Sequence, residues 1–200
     1  MLDLVFALDG SRPLTSTQFD KYKEAILNML GKYTISDQET HVGLIEFSSS
    51  VRLVSRLDKN NKVKYIKNIL SSLQPSGGSS RLTDEVLRVA SDRVFSVKDG
   101  GRPGASKALV ILTHGKSSGD TSPVDAAKPL KEAGVNVFVI GIGGNVDPDE
   151  TKGVATSHRH VIPVDNPDKA PDAIDSVVET LTKDLKKSKT CCRCCRCCCC

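Results

Sequence analysis

Apolar residues along this 200-residue chain follow two alternating patterns: short runs with no polar face, and longer stretches in which they recur every three or four places. The first run, Leu2–Asp9, is apolar on both faces, as expected of a strand covered on both sides. Residues 18–32 then set Phe19, Tyr22, Ile26 and Leu30 at helical spacing, one buried stripe that ends at Gly31 and Lys32. Residues 41–47 and Val51–Ser55 read as strands joined by Ser48-Ser49-Ser50, close enough to form a hairpin with one antiparallel edge strand. Val63, Ile66, Ile69, Leu70 and Leu73 predict a second helix, closed by Gln74-Pro75-Ser76-Gly77-Gly78. A third covers 83–95, with Asp84 and Glu85 in the first turn, where the helix dipole favours negative charge. Two more apolar strands, 107–113 and 135–140, flank a helix over 123–133 that stops at Gly134. A short helix at 149–156, a strand at 160–164 and an amphipathic helix at 171–187 complete the series.

Strands alternating with helices specify βαβ units. The expected fold class is α/β: a doubly wound, mostly parallel six-stranded sheet with one antiparallel edge strand and helices on both faces. In such sheets ligands gather at the carboxyl ends of central strands, where strand order reverses. Asp9 and His114 each follow a central strand. Residues 1–187 are expected to form one domain, and 188–200 a Cys-rich tail that is disordered.

Composition narrows the function classes. Hydrophobic residues at 38% and a mean hydropathy of −0.21 suffice for one core. The net charge is +4, of which Arg193 and Arg196 in the tail supply two. So small an excess, with aromatics at 4% and no Trp, argues against nucleic acid as a partner. No apolar run approaches the roughly 18–20 residues of a membrane span, so a soluble chain is expected. Leu2–Asp9 has no basic segment before it and is too short for a signal peptide. On that ground the chain is either an excised piece of a longer protein or cytosolic. All eight Cys lie between residues 191 and 200, so the body is expected to fold without disulfides. The tail thiols would bond across chains when oxidised, giving self-association, or chelate Zn²⁺ or Cu⁺ when reduced. Acylation beside the basic residues and a repeat of Cys and Arg codons without function are the other readings.

Five stretches in order carry a family resemblance: Val5-Phe6-Ala7-Leu8-Asp9-Gly10-Ser11, Val42-Gly43-Leu44-Ile45-Glu46-Phe47, Gly77-Gly78, Leu109-Val110-Ile111-Leu112-Thr113-His114-Gly115, and Val137-Phe138-Val139-Ile140-Gly141-Ile142-Gly143. Over about residues 2–187 the chain resembles the von Willebrand factor A domain, a Rossmann-like fold. It looks most like the A domains of type VI collagen and related extracellular matrix proteins. The family is similar in binding Mg²⁺ or Mn²⁺ through an Asp-x-Ser-x-Ser loop, a Thr before the third helix and an Asp after the fourth strand, with an open position for a partner's carboxylate. Asp9 and Ser11 match the first two loop positions, but Pro13 replaces the second loop Ser. Arg81 stands at the Thr position and His114 at the Asp position. One carboxylate with an added cation is a poor site for a hard dication, so no cofactor is expected. Arg81 either pairs with Asp9 through a bidentate contact that replaces the ion's charge, or points into solvent.

The resemblance implies a non-catalytic, secreted module of the extracellular matrix. Its partners would be matrix or collagen proteins, bound at a face comprising Asp9, Ser11, Arg81 and His114. A divalent-cation-dependent adhesion receptor domain and an intracellular scaffold of the same family are the alternatives. Ser11, His114 and Asp9 also suggest a nucleophile with its base and orienter, but no Gly-x-Ser-x-Gly elbow or oxyanion hole accompanies them, and an enzyme is not expected. Gly141-Ile142-Gly143-Gly144 lacks the third glycine of a dinucleotide loop, and His158-Arg159-His160 is a feeble transition-metal spacing.

Overall fold

The computed structural model describes residues 1–58 and 62–194, with side chains as far as residue 186. Six strands form one sheet in the order β3-β2-β1-β4-β5-β6. β1 (Leu2–Asp9) lies at its centre, parallel to β2 (Thr40–Phe47) on one side and β4 (Ser106–Thr113) on the other. β3 (Val51–Ser55) closes one edge antiparallel to β2, as the hairpin pattern predicts. β5 (Asn136–Ile142) and β6 (Val161–Val164) extend the other side in parallel. The chain leaves β1 towards β2, then returns past it to β4. The switch point therefore falls between the carboxyl ends of β1 and β4.

Period-two alternation along β1 feeds two cores. Leu2, Leu4, Phe6 and Leu8 face Phe19, Tyr22 and Ile26 of α1 (Ser16–Leu30) and Ile174 and Leu181 of α6 (Ala170–Cys194). Val5 and Ala7 face Val86 and Leu87 of α3 (Thr83–Val89) and Ala127 and Leu130 of α4 (Pro123–Glu132). α2 (Val63–Ser72) buries only Ile66 and Leu70, and α5 (Pro148–Val154) only Thr151 and Val154.

The departures from the sequence pattern lie at element ends. α1 begins two residues early because Thr15 caps it: Gln18 N donates to Thr15 Oγ1 at 3.2 Å while Gln18 Oε1 accepts from Thr15 N at 3.0 Å. The third helix widens into a π turn over Ala90–Val94, where Phe95 N reaches the Ala90 carbonyl. α6 runs past 187, the end predicted for the last helix. It runs on to Cys194, so residues 188–194 are helical where disorder was expected. Nothing after Pro171 removes a helical donor or frees the backbone, since neither Gly nor Pro occurs from there to the end of the chain. The expectation for 195–200 falls outside the described residues.

β6 carries Pro163 at the rim of the sheet. Gly143 N donates to the Val164 carbonyl across the β5–β6 seam, so Val164 faces inward and Pro163, one residue earlier, faces out.

Candidate functional site

Asp9 ends β1 with no solvent exposure. A carboxylate there is tolerable only if its lone pairs are filled. Oδ1 accepts from Ser11 N at 3.0 Å and Ser11 Oγ at 2.6 Å. Oδ2 accepts from Thr113 Oγ1 at 2.9 Å and His114 N at 3.3 Å. The tight turn after β1 thus supplies one pair of donors and the end of β4 the other, which is what the switch point brings together.

Arg81 reaches the same carboxylate from the loop before α3. Its Nε lies 3.4 Å from Asp9 Oδ2, an ion-pair distance without hydrogen-bond geometry. Its Nη2 donates to the Arg12 carbonyl at 2.8 Å and sits 3.2 Å from His114 Nε2. The pairing expectation therefore holds in part: Arg81 turns to Asp9 rather than to solvent, but through Nε alone. The bidentate contact is corrected because Nη2 is drawn to the Arg12 carbonyl instead. The arginine backbone is pinned in turn. Its N donates to Ser118 Oγ at 2.7 Å, and its carbonyl accepts from Ser118 N at 2.9 Å and Ser117 Oγ at 3.1 Å. Gly115 makes room for the guanidinium, since a Cβ there would come within 2.8 Å of Arg81 Cζ.

His114 turns both ring nitrogens into the cluster, Nδ1 at 3.2 Å from Asp9 Oδ2 and Nε2 at 3.4 Å from Ser11 Oγ. Burial pushes its pKa below the ordinary value and the Arg81 cation adds to that, against the opposing pull of Asp9 and the Arg12 carbonyl. Nδ1 makes no hydrogen bond among the described residues despite its proximity to Asp9, while Nε2 of a neutral ring can accept from Arg81 Nη2. Pro13, beside this cluster, is exposed and offers no oxygen from its side chain.

The four positions expected on a binding face, Asp9, Ser11, Arg81 and His114, are thus one connected cluster. Their arrangement does not fit a hard dication. The only carboxylate has both oxygens occupied, and a guanidinium stands beside it. No group of three or more His, Cys, Asp or Glu able to hold a metal occurs among the described residues. Nor does the cluster form a nucleophile relay, because the Ser11 hydroxyl donates to the carboxylate and not to the imidazole.

Sequence reasoning missed Thr113, which fills Asp9 Oδ2, and the serine pair at 117 and 118 that seats Arg81. A hydroxyl ending a buried strand is the only sign that pointed to Thr113. His158 and His160 are not brought together: His158 is exposed, while His160 is buried, packs edge-on against Phe138 at 4.2 Å and meets Asp184 of α6 at 2.7 Å. Gly141, Gly143 and Gly144 line a cavity of about 430 Å³ with Val146, Pro148 and Val161, none of them a member of the cluster. The thiol readings concern side chains outside the described ones. No helix among the described residues is long and apolar enough to cross a membrane.

A family model, the von Willebrand factor type A domain, matches residues 3–176. von Willebrand factor A domain-containing protein 2 of Xenopus laevis is 30% identical over 192 residues, covering 96% of this chain and 24% of that protein. Matrilin-1 of Gallus gallus is 32% identical over 155 residues, 78% of this chain and 31% of the relative. The collagen alpha-4(VI) chain of Mus musculus is 32% identical over 142 residues, 70% of this chain and 6% of the relative. The chain therefore spans under a third of the length of these relatives. Among solved structures, proximal thread matrix protein 1 from the mussel byssus superposes with a TM-score of 0.85 at 22% identity, over 89% of this chain and 47% of that one. A second structure of that protein has a zinc-occupied MIDAS motif, with the same TM-score of 0.85.

Proposed function

From the premise that the chain belongs to the von Willebrand factor type A family, we propose that it is a non-catalytic recognition or assembly module of a secreted extracellular matrix protein. It binds another protein, of matrix or collagen type, at the rim formed by Asp9, Ser11, Arg81 and His114, without a metal ion. The observation that carries this reading is the Arg81 guanidinium at 3.4 Å from Asp9, which puts a tethered positive charge beside the carboxylate a dication would need. Matrilin-1 and a collagen alpha-4(VI) chain among the relatives support the matrix setting. The mussel protein whose MIDAS holds zinc supports the divalent-cation-dependent receptor as the competing reading.

One comparison separates the two. The immobilised chain is exposed to a matrix extract in EDTA and in Mg²⁺, and Mg²⁺ is titrated into the free chain by calorimetry. Capture that is equal in both buffers, with no heat from Mg²⁺ at micromolar to millimolar concentration, is the expected outcome. Capture abolished by EDTA, or micromolar Mg²⁺ affinity, refutes metal independence.

A further inference from the structure

Two guanidinium groups stand at this rim with donors unspent. Arg81 Nε and Nη2 are engaged as described, while Nη1 makes no hydrogen bond or ion pair among the described residues. Arg12 is exposed, and its guanidinium has neither contact among them. Its Nε lies 3.9 Å from where a Cβ on Gly77 would stand, so the side chain lies along the Gly77-Gly78 turn that leads to Arg81. The two arginines are tied by their backbones, since the Arg12 carbonyl accepts from Arg81 Nη2 and Arg12 N donates to the Gly78 carbonyl at 2.8 Å.

Several carboxylates around this rim, by contrast, already have donors. Asp9 is filled from inside. Glu46 accepts from Ser76 N and Oγ and meets Arg52 at 3.4 Å. Asp84 Oδ2 meets Arg88 at 3.2 Å and accepts from Thr121, while its buried Oδ1 has no hydrogen-bond partner among the described residues, and Glu150 accepts from Ser117 N. Lys116 is held by Asp147 at 2.8 Å. Arg12 thus brings to this corner an exposed cation with no ion-pair partner among the described residues. Near Pro13 opens a small groove of about 130 Å³ lined by Pro13, Leu14, Ile142 and Pro167, with the polar Gln18, His114 and Asn145 on its wall. At roughly 30 Å³ per water it holds about four waters, the space of one aliphatic side chain.

We propose that the rim reads a partner's carboxylate directly: an acidic side chain is clasped by the Arg12 and Arg81 guanidinium groups while an aliphatic neighbour on the same segment fills the Pro13–Pro167 groove. The inference rests on the rim being a metal-independent protein-binding face, and it names the partner's chemistry. A carboxylate is the anion that two forked donors can share, and its charge meets the Arg12 cation, which has no ion-pair partner among the described residues. The apolar neighbour adds the burial that a lone exposed ion pair lacks.

The test uses the whole chain labelled with ¹⁵N in EDTA, titrated with N-acetyl-Leu-Glu-Leu amide and with the Gln counterpart. Saturable shifts are expected at the amides of residues 11, 12, 14, 77–81 and 114–115 with the Glu peptide, and binding about tenfold weaker with Gln. Arg12→Ala, on an exposed side chain, should weaken the Glu peptide about tenfold, with Arg12→Lys falling between. Absent shifts, shifts elsewhere, equal response to both peptides, or indifference to Arg12→Ala would each overturn the proposal. If matrix capture persists in EDTA while the peptide is silent, only this inference fails. If EDTA abolishes capture, the parent reading fails whatever the peptide does.

Discussion

Strand β1 holds a fully buried aspartate near each end, and an arginine from a distant loop answers each. At the amino end Arg102 N and Nε donate to the two oxygens of Asp3 at 2.7 and 2.8 Å, and Nη2 donates to the carbonyls of Leu2 and Glu39 at 2.8 and 2.9 Å. Every part of that guanidinium is spent on holding strands and loop together. At the carboxyl end Arg81 meets Asp9 only through Nε at 3.4 Å, and Asp9 is already filled by Ser11, Thr113 and the His114 amide. The same residue pair therefore works as a fastener at one pole and as a replaceable charge at the other. Dependence on the arginine, not burial of the aspartate, tells the fastened end from the proposed binding end.

The comparison can be broken most severely at the amino end. Arg102→Ala strands a buried charge and should cost about 3–5 kcal/mol, read from urea denaturation. Next in size is conversion of the other pole. Pro13→Ser, Arg81→Thr and His114→Asp together restore oxygen donors, and Mg²⁺ at a hundred times its dissociation constant should then stabilise the variant by about 2.7 kcal/mol in thermal melts. The unaltered chain should show no such shift, and an equal one would erase the distinction between the poles. Arg81→Ala alone should cost only about 1–2 kcal/mol, because four donors still serve Asp9. A loss matching that of Arg102→Ala would show that Arg81 is a fastener too.

The smallest effect is on pH dependence. Burial lowers the His114 pKa from 6.5, so between 6.5 and the lowered value the unfolded chain binds the proton and the folded chain does not. Stability should be intact above pH 6.5, fall as the pH drops through that window, and fall no further on account of this group below it. Parallel melts of a His114→Asn variant should show a shallower decline there. An unchanged slope would mean that His114 takes up its proton as readily folded as unfolded.

Much of the frame was legible because burial is periodic. The run Leu2–Asp9, apolar but for its two aspartates, marks the central strand to the residue, and the hairpin around Ser48-Ser49-Ser50 marks the antiparallel edge. Ends were less legible, since they hang on single side chains: the Thr15 cap moved one boundary, and the lack of any breaker after Pro171 moved another. At the rim, Asp9, Ser11, Arg81 and His114 could be singled out by position in a motif. The direction Arg81 takes could not, because it is set by the Arg12 carbonyl and by serines 36 and 37 places further on. Asp3 and Arg102 left no trace in the pattern, being 99 residues apart.

Pro163 has a consequence for crowding. An outer strand normally offers a ladder of amide hydrogens onto which a neighbouring molecule can zip, and here a rung is missing where the ring stands. Domains concentrated side by side can jostle along that flank without fusing into a continuous ribbon.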